Sequence, residues 1–373
     1  MPGIRIRSLD VTRLHIPFTV AFRHASAERS QTATIWAEVV SGSGIVGHGE
    51  SCPRDYVTGE TLDTALSFAA RHNENLRNDV HDLTSLRTWM ASRAAEIDAH
   101  PAAWCAIELA ILDVLAKEAG VPIEELLSLP PLEGRFTYTA VLGDASPATF
   151  HATADQYRRL GFADFKVKLC GDLDRDRAKV AIMRTWDHDH VRVRVDANNL
   201  WRTADEAVTF LQALDYPLFA VEEPLAASRY DELVEVGTAL SCGIVLDESL
   251  LRLDQLDTLH GTDPRMWLIN VRVSKMGGLL RSLDLVGAAR TRRHRIVVGA
   301  QVGETSLLTR AALTVARAAG SELVAQEGAF GTRLLTKDVC DPPLMFGNGG
   351  ILDSAAFPSL RQRGLGEFKR VGV

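Results

Sequence analysis

The chain has no CxxC pair: its five cysteines, Cys52, Cys105, Cys170, Cys242 and Cys340, are far apart and odd in number. That spacing speaks against a disulfide framework and a structural zinc site, and suits a reducing, cytoplasmic setting. No apolar run approaches the roughly 18 residues needed to cross a bilayer. The opening MPGIRIRSLD carries charges where a signal peptide needs an apolar core. Positive charge is not in excess: 41 Lys plus Arg against 48 Asp plus Glu leave a net charge of −7. Such a surface offers no broad footprint for nucleic acid or a membrane, so an anionic substrate would need a locally positive pocket or a metal. A Gly-rich phosphate loop is missing too, since VLGDAS at 141–146 is not GxGxxG and no Walker sequence occurs.

What is present is ordinary globular composition, 46% hydrophobic and 24% charged over 373 residues. That length suits two or three domains, or a barrel of ~250 residues with a smaller companion. Residues 4–14 and 32–40 alternate apolar and polar side chains, and GSG at 42–44 turns the chain into a third short strand. The stretch 17–30 has no clear period and reads as a loop. Helical patterns at 60–75, 83–97 and 101–119 complete an α+β unit over residues 1–125.

From about residue 135 the texture changes. Eight short apolar runs recur at 137–143, 164–169, 191–197, 218–224, 243–249, 268–273, 295–300 and 322–328, with amphipathic stretches between. Polar punctuation at Lys166, Asp196, Glu222, Asp247 and Arg272 repeats every 25–30 residues, the length of one strand plus a crossover helix. The expected fold is α/β, a modified TIM barrel of (β/α)7β type over 126–345, with 346–373 returning to the N-terminal cap.

In such a barrel the C-terminal strand ends converge on one face, and here almost every run ends in a charge. Asp196, Glu222 and Asp247 end three consecutive runs. Three anions gathered together repel unless a cation sits among them, and oxygen-only donors select a hard divalent ion, Mg²⁺ with Mn²⁺ as a substitute. Taken singly, each carboxylate reads equally as a helix N-cap or a strand-end ion pair. Lys166 and Lys168 are two apart and so face the same way. An ammonium works as a base near neutrality only if it loses roughly 3 pKa units from ~10.4, about 4 kcal/mol. A like charge and a divalent cation beside it push in that direction.

The motifs KVK (166–168), DAN (196–198), EEP (222–224) and DES (247–249), in that order, resemble the enolase superfamily and more closely its muconate lactonizing enzyme subgroup. GHGESCP and YVTGET within 47–62 look like the capping-domain hairpin, and WCAIELAILDVLAK (104–117) like the helix that enters the barrel. The resemblance implies Mg²⁺-assisted removal of a proton α to a carboxylate. It makes Asp196, Glu222 and Asp247 the metal ligands, Lys168 the base, and Lys166 its partner. It also implies a homo-oligomer, from dimer to octamer.

One position departs. The subgroup carries NxKxxKxGG after the sixth strand, whereas this chain has NVRVSKMGG (270–278), so Arg272 stands at the expected lysine and Lys275 at the second. If the strand continued, Lys275 would face away from the lumen. A guanidinium stays protonated and grips carboxylates; it does not readily abstract protons. The expected reaction is therefore one-base, a cycloisomerisation or dehydration of a small carboxylic acid. Dipeptide or N-acyl amino acid epimerisation, or a hydroxyproline-type epimerisation, is the alternative, and a Schiff-base aldolase on the same barrel is a second class. Glu304 after the seventh run and Glu327 ending the eighth are further proton-transfer candidates. Asn198 and Lys275, with Arg23, His24, Arg54 and Tyr56 in the loops expected above the pocket, are candidate substrate contacts. The metal-like triplet His188, Asp189, His190 reads as a surface loop.

Overall fold

The computed structural model describes residues 3–24, 27–186, 190–259 and 263–371, with backbone alone for 20–24 and 27–29. The N-terminal part is built on an antiparallel sheet. Strand β1 (Ile6–Leu14) pairs with β4 (Thr34–Ser41), which pairs with β5 (Val46–Ser51); between β1 and β4 lie β2 (Pro17–His24) and β3 (Ala27–Gln31). The last two correct the loop reading of 17–30: they form a hairpin, Arg23 opposite Glu28 and His24 opposite Ala27. A register shift between Pro17 and Phe22 breaks the two-residue alternation by which a strand is recognised.

The helix Pro101–Ala119 is apolar on every side, and accordingly all of 101–117 is buried. Proline opens it and Gly120, at φ 74°, closes it. Strand β5 lies against it so closely that a Cβ on Gly49 would stand 1.9 Å from the Ala106 carbonyl oxygen. Gly49→Ala is therefore expected to cost about 2–3 kcal/mol, read as a lower denaturant midpoint with unchanged slope.

After β6 (Arg135–Thr137), eight strands run parallel: β7 (Ala140–Leu142), β8 (Asp164–Lys168), β9 (Arg192–Asp196), β10 (Ala220–Glu222), β11 (Gly243–Leu246), β12 (Trp267–Val271), β13 (Arg295–Val298) and β14 (Leu323–Gln326). They pair in chain order, and the Thr139 amide donates to the Gln326 carbonyl at 2.7 Å, joining the two edges into a ring. Among the described residues, α-helices fill every crossover but one. Between β11 and β12 the connection holds the 3-10 turns Leu253–Thr258 and Pro264–Met266, not the helix expected from the repeat. The last strand, β15 (Ile351–Asp353), pairs with β6, and the Leu365 amide donates to Asp113 of the helix Pro101–Ala119 at 2.7 Å.

Buried carboxyls bridge cap and ring. Glu108 accepts the amides of Leu279 and Leu280 at 2.5 and 3.0 Å, at the start of a barrel helix. Glu50, ending β5, accepts the Thr305 amide at 3.0 Å and its hydroxyl at 2.5 Å. Burial pushes Glu50 up to about 8. A carboxyl raised in the folded state binds protons the unfolded chain has lost, so stability falls as pH climbs from about 4.5 to about 8. Glu50→Gln, which keeps an acceptor and cannot ionise, is expected to flatten the decline of melting temperature over that window.

Candidate active site

The site is assembled at the C-terminal rim of the ring, where strand register sets the charges side by side. Lys168 is the Cα partner of Asp196 across β8 and β9, and Asp196 of Glu222 across β9 and β10. Lys166 Nζ, buried, lies 2.8 Å from Glu222, 3.1 Å from Asp196 Oδ2 and 3.5 Å from Glu327 Oε1. Lys168 Nζ lies 3.2 Å from the same Asp196 oxygen, and its side chain is 15% exposed against 3% for Lys166. Of the pair, Lys168 is thus the one a substrate can reach. Strands β8 and β12 stand second and sixth in an eight-strand ring, so Lys168 and Arg272 face one another across its mouth with the three carboxylates between.

Arg272 pairs with Asp247 through Nη2, donates to Gln301 Oε1 from Nη1 at 3.3 Å, and lies 3.9 Å from Glu222. Lys275 is buried and donates to the Asp247 carbonyl, the Asp247 carboxylate and the Asn270 carbonyl at 2.7, 2.9 and 2.7 Å. This corrects two expectations. The strand stops at Val271 and Val273–Met276 turns into a helical loop, so Lys275 swings back to the rim, buried at 1% exposure against Asp247 and Asn270. It supports Asp247 and is not placed as a substrate contact. Arg54 departs as well. It is 1% exposed, and its guanidinium donates to the carbonyls of Ala33, Pro53 and Val302 at 2.7–2.8 Å, stapling cap to barrel. Tyr56 lies at the surface, 43% exposed. Asn198 donates from both its amide groups to Asp196 Oδ1, at 3.1 and 2.7 Å. The side chains of Arg23 and His24, and His188 and Asp189, lie outside the described residues.

Opposing effects decide the protonation states. For Asp196 and Asp247 burial pushes up, but the flanking ammonium and guanidinium groups outweigh it and hold both carboxyls below their ordinary value. Burial likewise pulls Lys166 down, yet Asp196, Glu222 and Glu327 overcome it and hold the ammonium charged. Glu222 moves the other way, raised because burial and the neighbouring anions exceed the pull of Lys166.

Sequence reasoning passed over two groups. Arg194, on the Lys166 face of the lumen, donates to Asp164 at 2.8 Å and to Glu327 at 2.5 Å. Glu327 is thereby held from two sides, and its lumen-facing partner was legible from strand parity. Glu223, at φ 39°, accepts the amides of Asp247 and Ser249 at 2.6 and 2.8 Å and the Ser249 hydroxyl at 2.7 Å. No period announces it, because the positive φ reverses the direction a strand would have assigned.

The acidic side chains between Lys168 and Arg272, those of Asp196, Glu222 and Asp247, offer oxygen donors only, which suits a hard divalent cation. Glu222 Oε2 is buried and off any hydrogen-bond axis, although Lys166 Nζ is close. Among the described residues no three acidic or imidazole groups converge at ligating distance, since Asp247 is turned onto Arg272 and Lys275. The donor set fits the ion in kind.

The mandelate racemase / muconate lactonizing enzyme N-terminal domain family matches residues 4–128, and the enolase C-terminal domain-like family matches residues 149–366. The L-Lys-D/L-Arg epimerase of Methylococcus capsulatus is 27% identical over 374 residues, covering 97% of this chain and 99% of its own. A dipeptide epimerase from Methylococcus capsulatus, solved with Mg and the dipeptide L-Arg-D-Lys, aligns at TM-score 0.79 and 26% identity over 97% of this chain and 99% of that one. The muconate lactonizing enzyme of Pseudomonas fluorescens with muconolactone aligns at TM-score 0.84 over 98% and 97%; at 22% identity this is a likeness of fold.

Proposed function

The chain belongs to the mandelate racemase/muconate lactonizing enzyme family of the enolase superfamily and is an enzyme of that group, and from this premise we propose that it epimerises a dipeptide or N-acyl amino acid through a proton α to a carbonyl. The likeness to dipeptide epimerases carries the reading, and a reachable lysine beside three strand-end carboxylates supports it. The relatives move the emphasis from cycloisomerisation or dehydration to epimerisation.

Asp196, Glu222 and Asp247 would hold Mg²⁺, which when bound supplies positive charge against the developing enolate. Lys168 removes the α-proton from the face it borders. Lys166, charged and buried, steadies Asp196 and Glu222 and adds its field to the same oxygen anion. Arg272 grips the substrate's carboxylate or acyl oxygen opposite Lys168. The second reading, a one-base cycloisomerase or dehydratase, is favoured by one observation: the guanidinium occupies the side where an epimerase needs its other base. A Schiff-base aldolase would leave the strand-end carboxylates without use.

The test is incubation in D₂O with Mg²⁺ and a panel of dipeptides, N-acyl amino acids, muconates and hydroxyprolines. The expected result is α-deuterium together with a new stereoisomer from a dipeptide or N-acyl amino acid, lost in EDTA and restored by Mg²⁺. Deuterium without a new isomer favours the one-base reading, and no exchange in any compound refutes both. Arg272→Lys should raise KM about tenfold, one bidentate contact being worth roughly 1.4 kcal/mol. Unchanged or improved turnover would refute the grip.

A further inference from the structure

Epimerisation needs a proton donor on the face opposite Lys168, and the guanidinium of Arg272 is too weak an acid to serve. Two carboxyls outside the set proposed to hold the metal follow the next two strands round the ring from β12, Glu304 after β13 and Glu327 after β14. Glu327 is taken: Arg194 holds its Oε1 at 2.5 Å and Lys166 lies 3.5 Å from the same atom. Glu304 is not. Half-buried in the turn after β13, it accepts the Gln301 amide through Oε1 at 2.6 Å, and among the described residues it enters no ion pair. The Gln301 side chain in turn accepts from Arg272 at 3.3 Å, so the turn that carries Glu304, after the strand next to β12, lies within the field of the guanidinium.

Resting on the epimerase reading, we propose that Glu304 is the proton-transfer group for the second face, doing what a lysine at position 272 would do. In one direction neutral Lys168 takes the α-proton as the C–H bond breaks. Glu304, as the neutral acid, delivers its proton to the opposite face, directly or through one water, as the new C–H bond forms. In the other direction the Glu304 carboxylate abstracts and the Lys168 ammonium donates. Exchange with solvent after product release resets both, so no redox partner is required. Burial raises the Glu304 carboxyl to about 7, against the Gln301 amide, Arg272 and Arg54, which pull it down. From the cap and barrel the remaining titratable neighbours are Glu50, Cys105 and Tyr138, all buried. Near neutral pH both forms of such a group are populated, as an acid that must also act as a base requires.

The experiment follows each stereoisomer separately in D₂O, with the Mg²⁺-loaded enzyme and the dipeptide or N-acyl amino acid that wild type turns over. Glu304→Gln should keep deuterium exchange into the isomer whose α-proton faces Lys168 within about threefold. Formation of the opposite isomer should fall by about 100-fold or more. Exchange on the Lys168 face is the control for folding and for metal. Equal loss on both faces, or undiminished epimerisation, overturns the proposal. So does a wild type that exchanges one isomer without epimerising, which leaves the one-base reading in place. No exchange in wild type is instead the failure of the epimerase reading itself. If Glu304→Gln does not fold, Glu304→Asp replaces it: unequal loss on the two faces supports the role, equal loss refutes it.

Discussion

Lys168→Met is expected to lower α-proton exchange by about 1,000-fold, within the 10²–10⁴ range of a positioned general base. The substitution removes the one amine of the pair that a substrate can approach and keeps a stem of similar length. The buried Lys166 remains with Asp196 and Glu222, so the net of charges that the three carboxylates need persists. Melting temperature, and its rise on adding Mg²⁺, should therefore change little while turnover collapses. Lys168→Arg should be nearly as inactive, since it restores charge without a proton acceptor. Exchange within tenfold of wild type in Lys168→Met would place the base elsewhere and remove the central residue of the proposed chemistry.

Arg310→Met carries the largest expected effect on stability, about 3–5 kcal/mol. Arg310 is fully buried in the helix Ser306–Ala319 and forks onto Glu124 with contacts of 2.7 and 2.8 Å. It also donates to Thr314 at 2.8 Å and to the Leu360 carbonyl at 3.3 Å. One guanidinium thus ties the segment entering the barrel, a barrel helix and the C-terminal segment together. Removing it strands a buried carboxylate. Burial raises Glu124, and in the native protein Arg310 outweighs that and holds it below its ordinary value. That stability is present at neutral pH and lost as pH falls. Without Arg310 the burial effect outweighs the Thr314 hydroxyl that remains and the sign inverts, so the variant should gain stability as pH falls from about 7 toward 5. The double variant Glu124→Leu/Arg310→Met should be less destabilised than Arg310→Met alone, because no unpaired charge remains inside. Denaturant midpoints for the three proteins at two pH values decide this, and a single variant no worse than the double would refute it.

Much of the site was readable along the chain because the barrel repeats. A strand and its crossover occupy a nearly constant length, so Lys166, Asp196, Glu222, Asp247 and Arg272 appear at regular intervals, and two-residue parity sets Lys166, Lys168, Arg194 and Asp196 on one face. The hairpin at 17–31 escaped because its bulge breaks that same alternation, and the helical turn at 273–276 escaped because it ends a strand one residue before Arg272.

The sequence by itself determined the eight strands and the chemical kind of each rim residue, the arginine at 272 included. Which charge meets which was decided only by the tertiary structure. Arg54 is spent on three carbonyls, Lys275 curls back to Asp247, and Glu327 is claimed by Arg194, leaving Glu304 outside any ion pair among the described residues. These partners lie 1, 21 and 248 residues away for Arg54, 28 for Lys275 and 133 for Glu327. Periodicity is a property of neighbours along the chain. The pairing of buried charges is a property of the closed ring, where desolvation leaves an ion only the partners that folding brings within reach.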